Sequence, residues 1–409
     1  MKTIAWICVD FSVGSGGHRT VFQNFNYLAS HGYKCDLYVV DAKGTEERLS
    51  KKIEENYFKL DGHVYIGREL KKKYDMVIAT YFSTARYVSE LDVKNKMYFI
   101  QDYEPWFFPM SENYLVARES YKYGLNGVSI GRWLSQKLQN DFGTKMNYFS
   151  FCADLNIYKK NDDVEKEDAI CFIYQPDKPR RCAEMGLKAL QIVQQKRPET
   201  KVYLYGSPEM VPYNIKAKHL GVLSVEKCND LYNKCKVGLC ISSSNPSRIP
   251  FEMMAAGLPV VDLYIKNNIY DLPDDGCLLA EPSAESIAAA ILKVLDDEKI
   301  QKKMSDGGAK YMQGYPLERG FEEFKKAVDD CFGNKSKNKK KVEIIYRRRP
   351  VIYDGGMIEV GPRVYFRSKA EVEAERLELE ARKKEAEWRK NLTTSQKICL
   401  KIRYILRGY

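Results

Sequence analysis

Along residues 1–333, short apolar runs alternate with segments whose apolar side chains recur every three to four positions. Apolar runs of four to eight residues read as buried strands, and the 3.6-residue period reads as helices packed on them. Their alternation predicts parallel sheets built from strand–helix–strand units. The first unit is the clearest. IAWICV (4–9) is a strand, DFSVGSGGHR (10–19) a loop, and Val21, Phe22, Phe25, Leu28 and Ala29 share one face of a helix. Gly32 ends that helix, and CDLYVV (35–40) is the next strand. YDMVIATY, KMYFIQ, GVSI and NYFSF follow as strand candidates, with the helix GRWLSQKLQND between the last two.

The pattern breaks at NIYKKNDDVEKED (156–168), which is polar and has no apolar period, and then restarts. AICFIY, KVYLYG, VGLCIS and LPVVDLY are strands, interleaved with helices at CAEMGLKALQIVQQ, around VEKCNDLYNKC and at FEMMAA. Ser283 is placed to cap a helix carrying Ile287, Ile291 and Leu295, and a last amphipathic helix after Pro316 carries Phe321, Phe324, Val328 and Cys331. The expected fold class is α/β: two Rossmann-like domains with parallel sheets, at 1–153 and 169–315, joined by a linker at 154–168. A crossover helix at 316–333 and a basic tail at 334–409 complete the expected organisation. Ligands bind beyond the carboxyl ends of parallel strands, so the cleft between the two domains is the expected site.

The net charge of +11 suggests a nucleic-acid partner until it is located along the chain. Residues 334–409 carry 21 Lys/Arg against 10 Asp/Glu, which leaves the first 333 residues with no net charge. An electrostatic partner therefore belongs to the tail, and nucleic acid is not expected to bind the fold. The eleven cysteines form no Cys-x-x-Cys pair, and the four histidines have no metal-ligand spacing. Reduced cytoplasmic thiols and no metal are the expectation. The apolar opening TIAWICVDF ends at Asp10, too short for a membrane span, and reads as a buried strand rather than a leader.

Four loops at strand ends carry candidate chemistry. GSGGHR (14–19) opens the first helix, where Gly16 and Gly17 permit close backbone approach and the helix N-terminus attracts phosphate. A plain strand-to-helix turn explains the same residues equally well. In QPDKPRR (175–181), Arg180 and Arg181 are placed to neutralise a diphosphate, or else form a solvated basic turn. The third loop is SSNPSRIPFEMMAAGLPVV (243–261). There Ser247 and nearby amides open a short helix suited to the sugar-proximal phosphate, and Glu252 can accept hydrogen bonds from ribose hydroxyls. In the first domain, Asp102, Glu104 and Trp106 sit beyond a strand end, as carboxylates and an aromatic ring suited to sugar hydroxyls and a sugar face. A loop anchored by buried aromatics is the alternative reading.

The run Glu252, Ala255, Ala256, Gly257, Pro259, Val260, Val261 resembles the donor-binding signature of glycosyltransferase family 4, whose fold is GT-B. In that family a Glu, seven residues and a second Glu precede a small-residue helix, Gly and a Pro-Val-Val strand. FCADLNIYKK (151–160) resembles the family's interdomain segment, and Gly16-Gly17 its first-domain loop. Two positions depart from the pattern: Ser244 stands where the first Glu is usual, and Gln175 where the first phosphate-contacting Arg is usual. IQDYEPWFFP (100–109) and SSSNPSRIPFEM (242–253) resemble bacterial rhamnosyltransferases of the rhamnan and S-layer-glycan type, which lack the first Glu and use dTDP-L-rhamnose. A 6-deoxy sugar offers one hydroxyl fewer, which suits a less polar pocket.

The resemblance implies a retaining transferase that needs no metal, acting on a cell-surface polysaccharide or lipid-linked glycan. It implies Arg180 and Glu252 as catalytic residues, and Gly16, Gly17, Arg181, Val222, Asn245, Ser247 and Glu252 as donor-binding residues. His18, Asp102, Glu104 and Trp106 would bind the acceptor, a helix-capping role being the alternative for His18. A UDP-hexose donor, or a non-catalytic role in a glycan-assembly complex, stays open. Within the tail, Asp354-Gly355-Gly356 suggests a hairpin, and nothing there is expected to supply a core. The closing SQKICLKIRYILRGY places Ile398, Ile402, Ile405 and Leu406 on one side of a basic helix. Such a helix suits the inner surface of the cell membrane, a protein partner or a disordered tail being the alternatives.

Overall fold

The computed structural model describes residues 1–11, 14–208, 210–212, 215–335, 341–355, 366–368, 377, 380–381 and 383–388. The first sheet is built from β1 (Lys2–Cys8), β2 (Tyr33–Val39), β3 (Gly62–Ile66), β4 (Met76–Ala79), β5 (Asn95–Ile100), β6 (Asn126–Ile130) and β7 (Met146–Phe149). Its seven strands are parallel in the order β3-β2-β1-β4-β5-β6-β7. Helices α1 (Gly16–Ser30), α2 (Glu46–Asn56), α3 (Phe82–Glu90), α4 (Glu112–Glu119) and α5 (Arg132–Phe142) connect them. The strand order reverses beside β1, so the glycine loop after β1 lies at a topological switch point.

The second sheet has β8 (Ala169–Ile173), β9 (Lys201–Tyr205), β11 (Lys218–His219), β12 (Val237–Leu239), β13 (Val260–Leu263) and β14 (Cys277–Ala280), parallel in the order β11-β9-β8-β12-β13-β14. A separate ribbon pairs β10 (Met210–Pro212) with β15 (Phe366–Ser368). Helices α6 (Ala183–Lys196), α7 (Val225–Lys234), α8 (Ile249–Ala255), α9 (Lys266–Ile269), α10 (Ala284–Leu295) and α11 (Glu298–Met312) belong to this half. Here the order reverses between β8 and β12, the strands that carry the arginine loop and the Ser-Asn-Pro-Ser loop.

Helix α12 (Leu317–Phe332) returns to the first domain. Its apolar face brings Phe324 against Trp6, Phe99 and Phe149, with ring centroids 5.2–5.9 Å apart, so the last helix of the α/β body completes the core under its first strand. Burying each such ring stabilises the fold by roughly 1.5–3 kcal/mol. The polar segment before β8 also docks instead of spanning solvent. Tyr158 is buried against Tyr232, and the amides of Lys159 and Asn161 donate to Asn229 and Asn233 on α7.

The expectation that nothing beyond residue 333 supplies a core is corrected. Residues 341–355 form a strap over both domains: Val342 N–H donates to Gln136 on α5, and Tyr346 is buried with its hydroxyl accepting from Leu279 N–H. Val351 pairs in parallel with Ala280 at the edge of the second sheet. Val342 and Tyr346 turn inward between exposed and half-buried neighbours, a spacing too sparse to read as an apolar period. Of the hairpin expected around Asp354-Gly355-Gly356, Gly356 lies outside the described residues, and Phe366–Ser368 pairs with Met210–Pro212 rather than with the strap. Residues 392–409, the basis of the membrane reading, lie outside the described residues as well. Among those described, no helix is long and apolar enough to cross a membrane.

Candidate functional site

The loop after β8 is a succession of tight turns. Amides of Lys178, Arg181 and Cys182 donate to the carbonyls of Gln175, Lys178 and Pro179. Cys182 then adopts φ +45°, a left-handed conformation that is costly for a side chain with a Cβ. That corner turns the chain into α6 and projects both arginines. Arg181 donates from Nη1 to Ser242 Oγ, and the Ser242 amide is held by Asp262 Oδ1 at 3.1 Å. The carbonyl of Arg180 accepts from the amide and hydroxyl of Ser243. The arginine loop and the loop after β12 are thereby stitched into one wall.

Arg180 reaches the opposite domain. Its Nε lies 3.7 Å from Asp102 Oδ2, and its guanidinium carbon lies 4.5 Å from the centre of the Phe107 ring. Lys178 belongs to the same loop, and burial lowers its pKa. Three cations on one loop at a switch point suit a diphosphate, which guanidinium groups can hold through paired hydrogen bonds. Behind them Asp262 is fully buried, and desolvation raises its carboxyl to about 7 against the opposing pull of two amides and Arg181. Gln175 donates from Nε2 to the Gly206 carbonyl, beyond the carboxyl end of β9.

The loop after β12 crosses to the first domain. Asn245 Nδ2 donates to the carbonyls of Gln101 (2.9 Å) and Ile130 (3.0 Å), and its backbone N–H donates to Asp102 Oδ1 at 2.9 Å. Ser244 Oγ donates to Asp102 Oδ2 at 2.8 Å. Asp102 thus stands inside the wall of the second domain, beside Arg180, although an acceptor contact was expected of it. Ser247 lies on the same loop with its Oγ 3.7 Å from Cys240 Sγ. Glu252, in the first turn of α8, lies near Tyr158, Arg248 and Arg19. Burial raises its pKa while those partners hold it down. Arg248 continues across the cleft to Gln23 Oε1 (2.9 Å) and the Cys152 carbonyl (3.3 Å).

On the first-domain side, Gly16 begins α1 with open space where a Cβ would stand, and a Cβ on Gly17 would touch Gln101 at 3.4 Å. His18 is occupied locally: Nδ1 pairs with Ser15 Oγ at 2.9 Å and Nε2 with the Val9 carbonyl at 3.3 Å. Burial lowers its pKa, which favours the neutral ring in a helix-capping role.

Glu104 does not take part in the cleft. Its carboxylate accepts from Phe82 N–H (2.7 Å) and Tyr98 O–H (2.8 Å) inside the first domain, and burial pushes its pKa up to about 8. The 3-10 turn that follows Asp102 points this side chain inward, a reversal that the spacing Asp-x-Glu does not reveal. Trp106 stacks on Trp133 at 5.4 Å and stays 43% exposed. Val222, 65% exposed, lies beyond β11.

Sequence reasoning did not single out Phe107, Arg248, Tyr158 or Asp262. Each lies in or beside a quoted motif, but the contacts of Phe107 with Arg180 and of Arg248 with Gln23 join residues 73 and 225 positions apart, which the motifs do not reveal. No group of three or more His, Cys, Asp or Glu side chains that could hold a metal ion occurs among the described residues.

The family described as WsaF, C-terminal domain, matches residues 168–292, which hold the second sheet and both loops of the basic wall. The chain is 25% identical over 324 residues, 76% of its length, to the O-antigen biosynthesis protein RfbC of Myxococcus xanthus, and spans about a quarter of that relative. Among solved structures, TarM superposes with a TM-score of 0.66 at 10% identity, over 81% of this chain and 99% of TarM. The Anabaena protein HepE, in complex with UDP and glucose, superposes with a TM-score of 0.62 at 14% identity, over 80% of this chain and 100% of HepE. The two parallel-sheet domains with their intervening cleft are a GT-B fold.

Proposed function

We propose that the chain is a retaining glycosyltransferase that moves a sugar, L-rhamnose from dTDP-L-rhamnose, onto a cell-surface polysaccharide or lipid-linked glycan. The observation that carries this reading is the basic wall: Lys178, Arg180 and Arg181 on one strand-end loop at a switch point, stitched to the Ser242–Ser244 loop. RfbC, a protein of O-antigen biosynthesis, supports the polysaccharide context. In the proposed reaction the acceptor oxygen bonds to the sugar's anomeric carbon as the bond from that carbon to the diphosphate breaks. The electron pair leaves with the diphosphate, and the acceptor's proton passes to a phosphate oxygen. Arg180 and Arg181 stabilise the charge that builds there, and no metal is required. Glu252, close to Arg248 and Arg19, is assigned to the ribose. The basic C-terminal segment is assigned to the inner membrane surface, where a lipid-linked acceptor would lie, and the enzyme to the cytoplasm.

A UDP-sugar donor is the second reading, favoured by the UDP bound to HepE. Thermal shifts with dTDP, UDP and GDP separate the two, because a ligand bound only to the native state raises the midpoint. Mass analysis of products from dTDP-L-rhamnose then tests transfer. Arg180→Ala with Arg181→Ala should abolish the shift and lower transfer by about 100-fold or more. A full shift in that double variant would remove the donor site from this wall.

A further inference from the structure

Asp102 has an unusual position for a first-domain residue. Its carboxylate is embedded in the second domain, beside the arginine assigned to the donor diphosphate. Each carboxylate oxygen can accept about two hydrogen bonds. Oδ1 has two, from the amides of Asn245 and Tyr103. Oδ2 has one, from Ser244, and the Arg180 contact at 3.7 Å is an ion pair without hydrogen-bond geometry. One acceptor position on Oδ2 is therefore open, and it lies next to Arg180. A second acceptor is left over close by. Asn245 Nδ2 is fixed by two carbonyls, which sets the orientation of the amide, and its Oδ1 has no protein partner among the described residues. A buried acceptor without a donor is costly unless a ligand supplies one.

The hydroxyls of a sugar are such donors. A phosphate held by Arg180 carries its glycosyl group one bond away, within reach of a carboxylate 3.7 Å from the same guanidinium. We propose that Asp102 reads the transferred sugar, its Oδ2 accepting a glycosyl hydroxyl while Arg180 holds the adjoining phosphate, with Asn245 beside it as a second acceptor. The proposal rests on the donor-site reading above and adds to it a specificity residue lent by the opposite domain. Ser244 and Asn245 then orient the carboxylate in advance.

The same geometry gives a test with opposite signs for two ligands. Asp102 repels phosphate and attracts a sugar hydroxyl. Calorimetric titration of Asp102→Asn should therefore show bare dTDP or UDP binding as tightly as in the wild type or up to about threefold tighter. The matching sugar nucleotide, dTDP-L-rhamnose or UDP-glucose, should bind roughly tenfold or more weakly. Asp102→Glu, which keeps the charge but moves it by one methylene, is a second arm and should also lose the sugar increment. Asp271→Ala, which loosens the domain junction away from this wall, should leave the increment intact. Equal weakening for nucleotide and sugar nucleotide would make Asp102 an anchor for Arg180 only and overturn the proposal. An unchanged increment in both Asp102 variants, or the same split in Asp271→Ala, would overturn it as well. If the wild type binds neither dTDP nor UDP, the donor-site reading fails and the proposal falls with it.

Discussion

Two aspartates cross the cleft in opposite directions, and they differ in one respect. Asp271 reaches from the second domain to the first and caps helix α5 from outside. Its carboxylate accepts from the amides of Arg132 (2.8 Å) and Trp133 (3.1 Å), because Gly131 at the N-cap supplies no side chain. Asp102 reaches from the first domain to the second and accepts from Ser244 and Asn245. Each carboxylate has an arginine nitrogen 3.7 Å away, but the Asp271 side chain is 1% exposed and that of Asp102 15%. The closed carboxylate is a fastening, and the open one is placed to meet a ligand. Burial raises the pKa of both, so a titration shift alone would not tell them apart.

The largest effect should come from the fastening. Asp271→Ala removes a buried ion-pair partner and uncaps two amides, and should cost roughly 3 kcal/mol of stability. A thermal midpoint within a degree of wild type would show that the junction is not held there. Asp102→Asn should move the midpoint far less.

Gly131→Ala is the next largest. At φ +85° an added Cβ would lie 2.5 Å from the Phe151 ring and 3.0 Å from Asp271 Oδ2, at a cost of about 2 kcal/mol. Part of that clash is with Asp271 itself, so the double variant Gly131→Ala, Asp271→Ala should lose less than the sum of the singles in chemical denaturation.

Glu104 supplies a calibration through pH, being as enclosed as Asp271 but without an ion pair among the described residues. Its folded pKa of about 8 lies above the ordinary carboxyl range, so the folded state holds a proton that the unfolded chain releases. This contribution is complete at acidic pH and is lost as pH rises towards about 8, with a slope of up to ~1.4 kcal/mol per pH unit. Glu104→Gln should flatten that part of the stability–pH curve. An unchanged curve would show that Glu104 is ionised in the fold.

Much of the fold is legible in the order of residues because apolar periodicity is local. The alternation that marks β1, α1 and β2 needs only neighbours in sequence, and Ser283 caps α10 through Ser286, three positions on. The short strands β3 and β14 were less distinct, since GHVYI and CLLA carry too few residues for a period. The basic loop and the Ser-Asn-Pro-Ser loop were also visible, because strand ends and turn residues announce them. Tertiary structure alone decided what those loops face. It turned Glu104 inward and Asp102 across the cleft, although the two are separated by one residue, and set Phe107 beneath Arg180. It also bound the strap at Tyr346 to Leu279. The physical reason is that a side chain's charge state and free lone pairs depend on partners brought near by packing. Linear order fixes which groups exist, and the meeting of two domains fixes which of them are left open for a ligand.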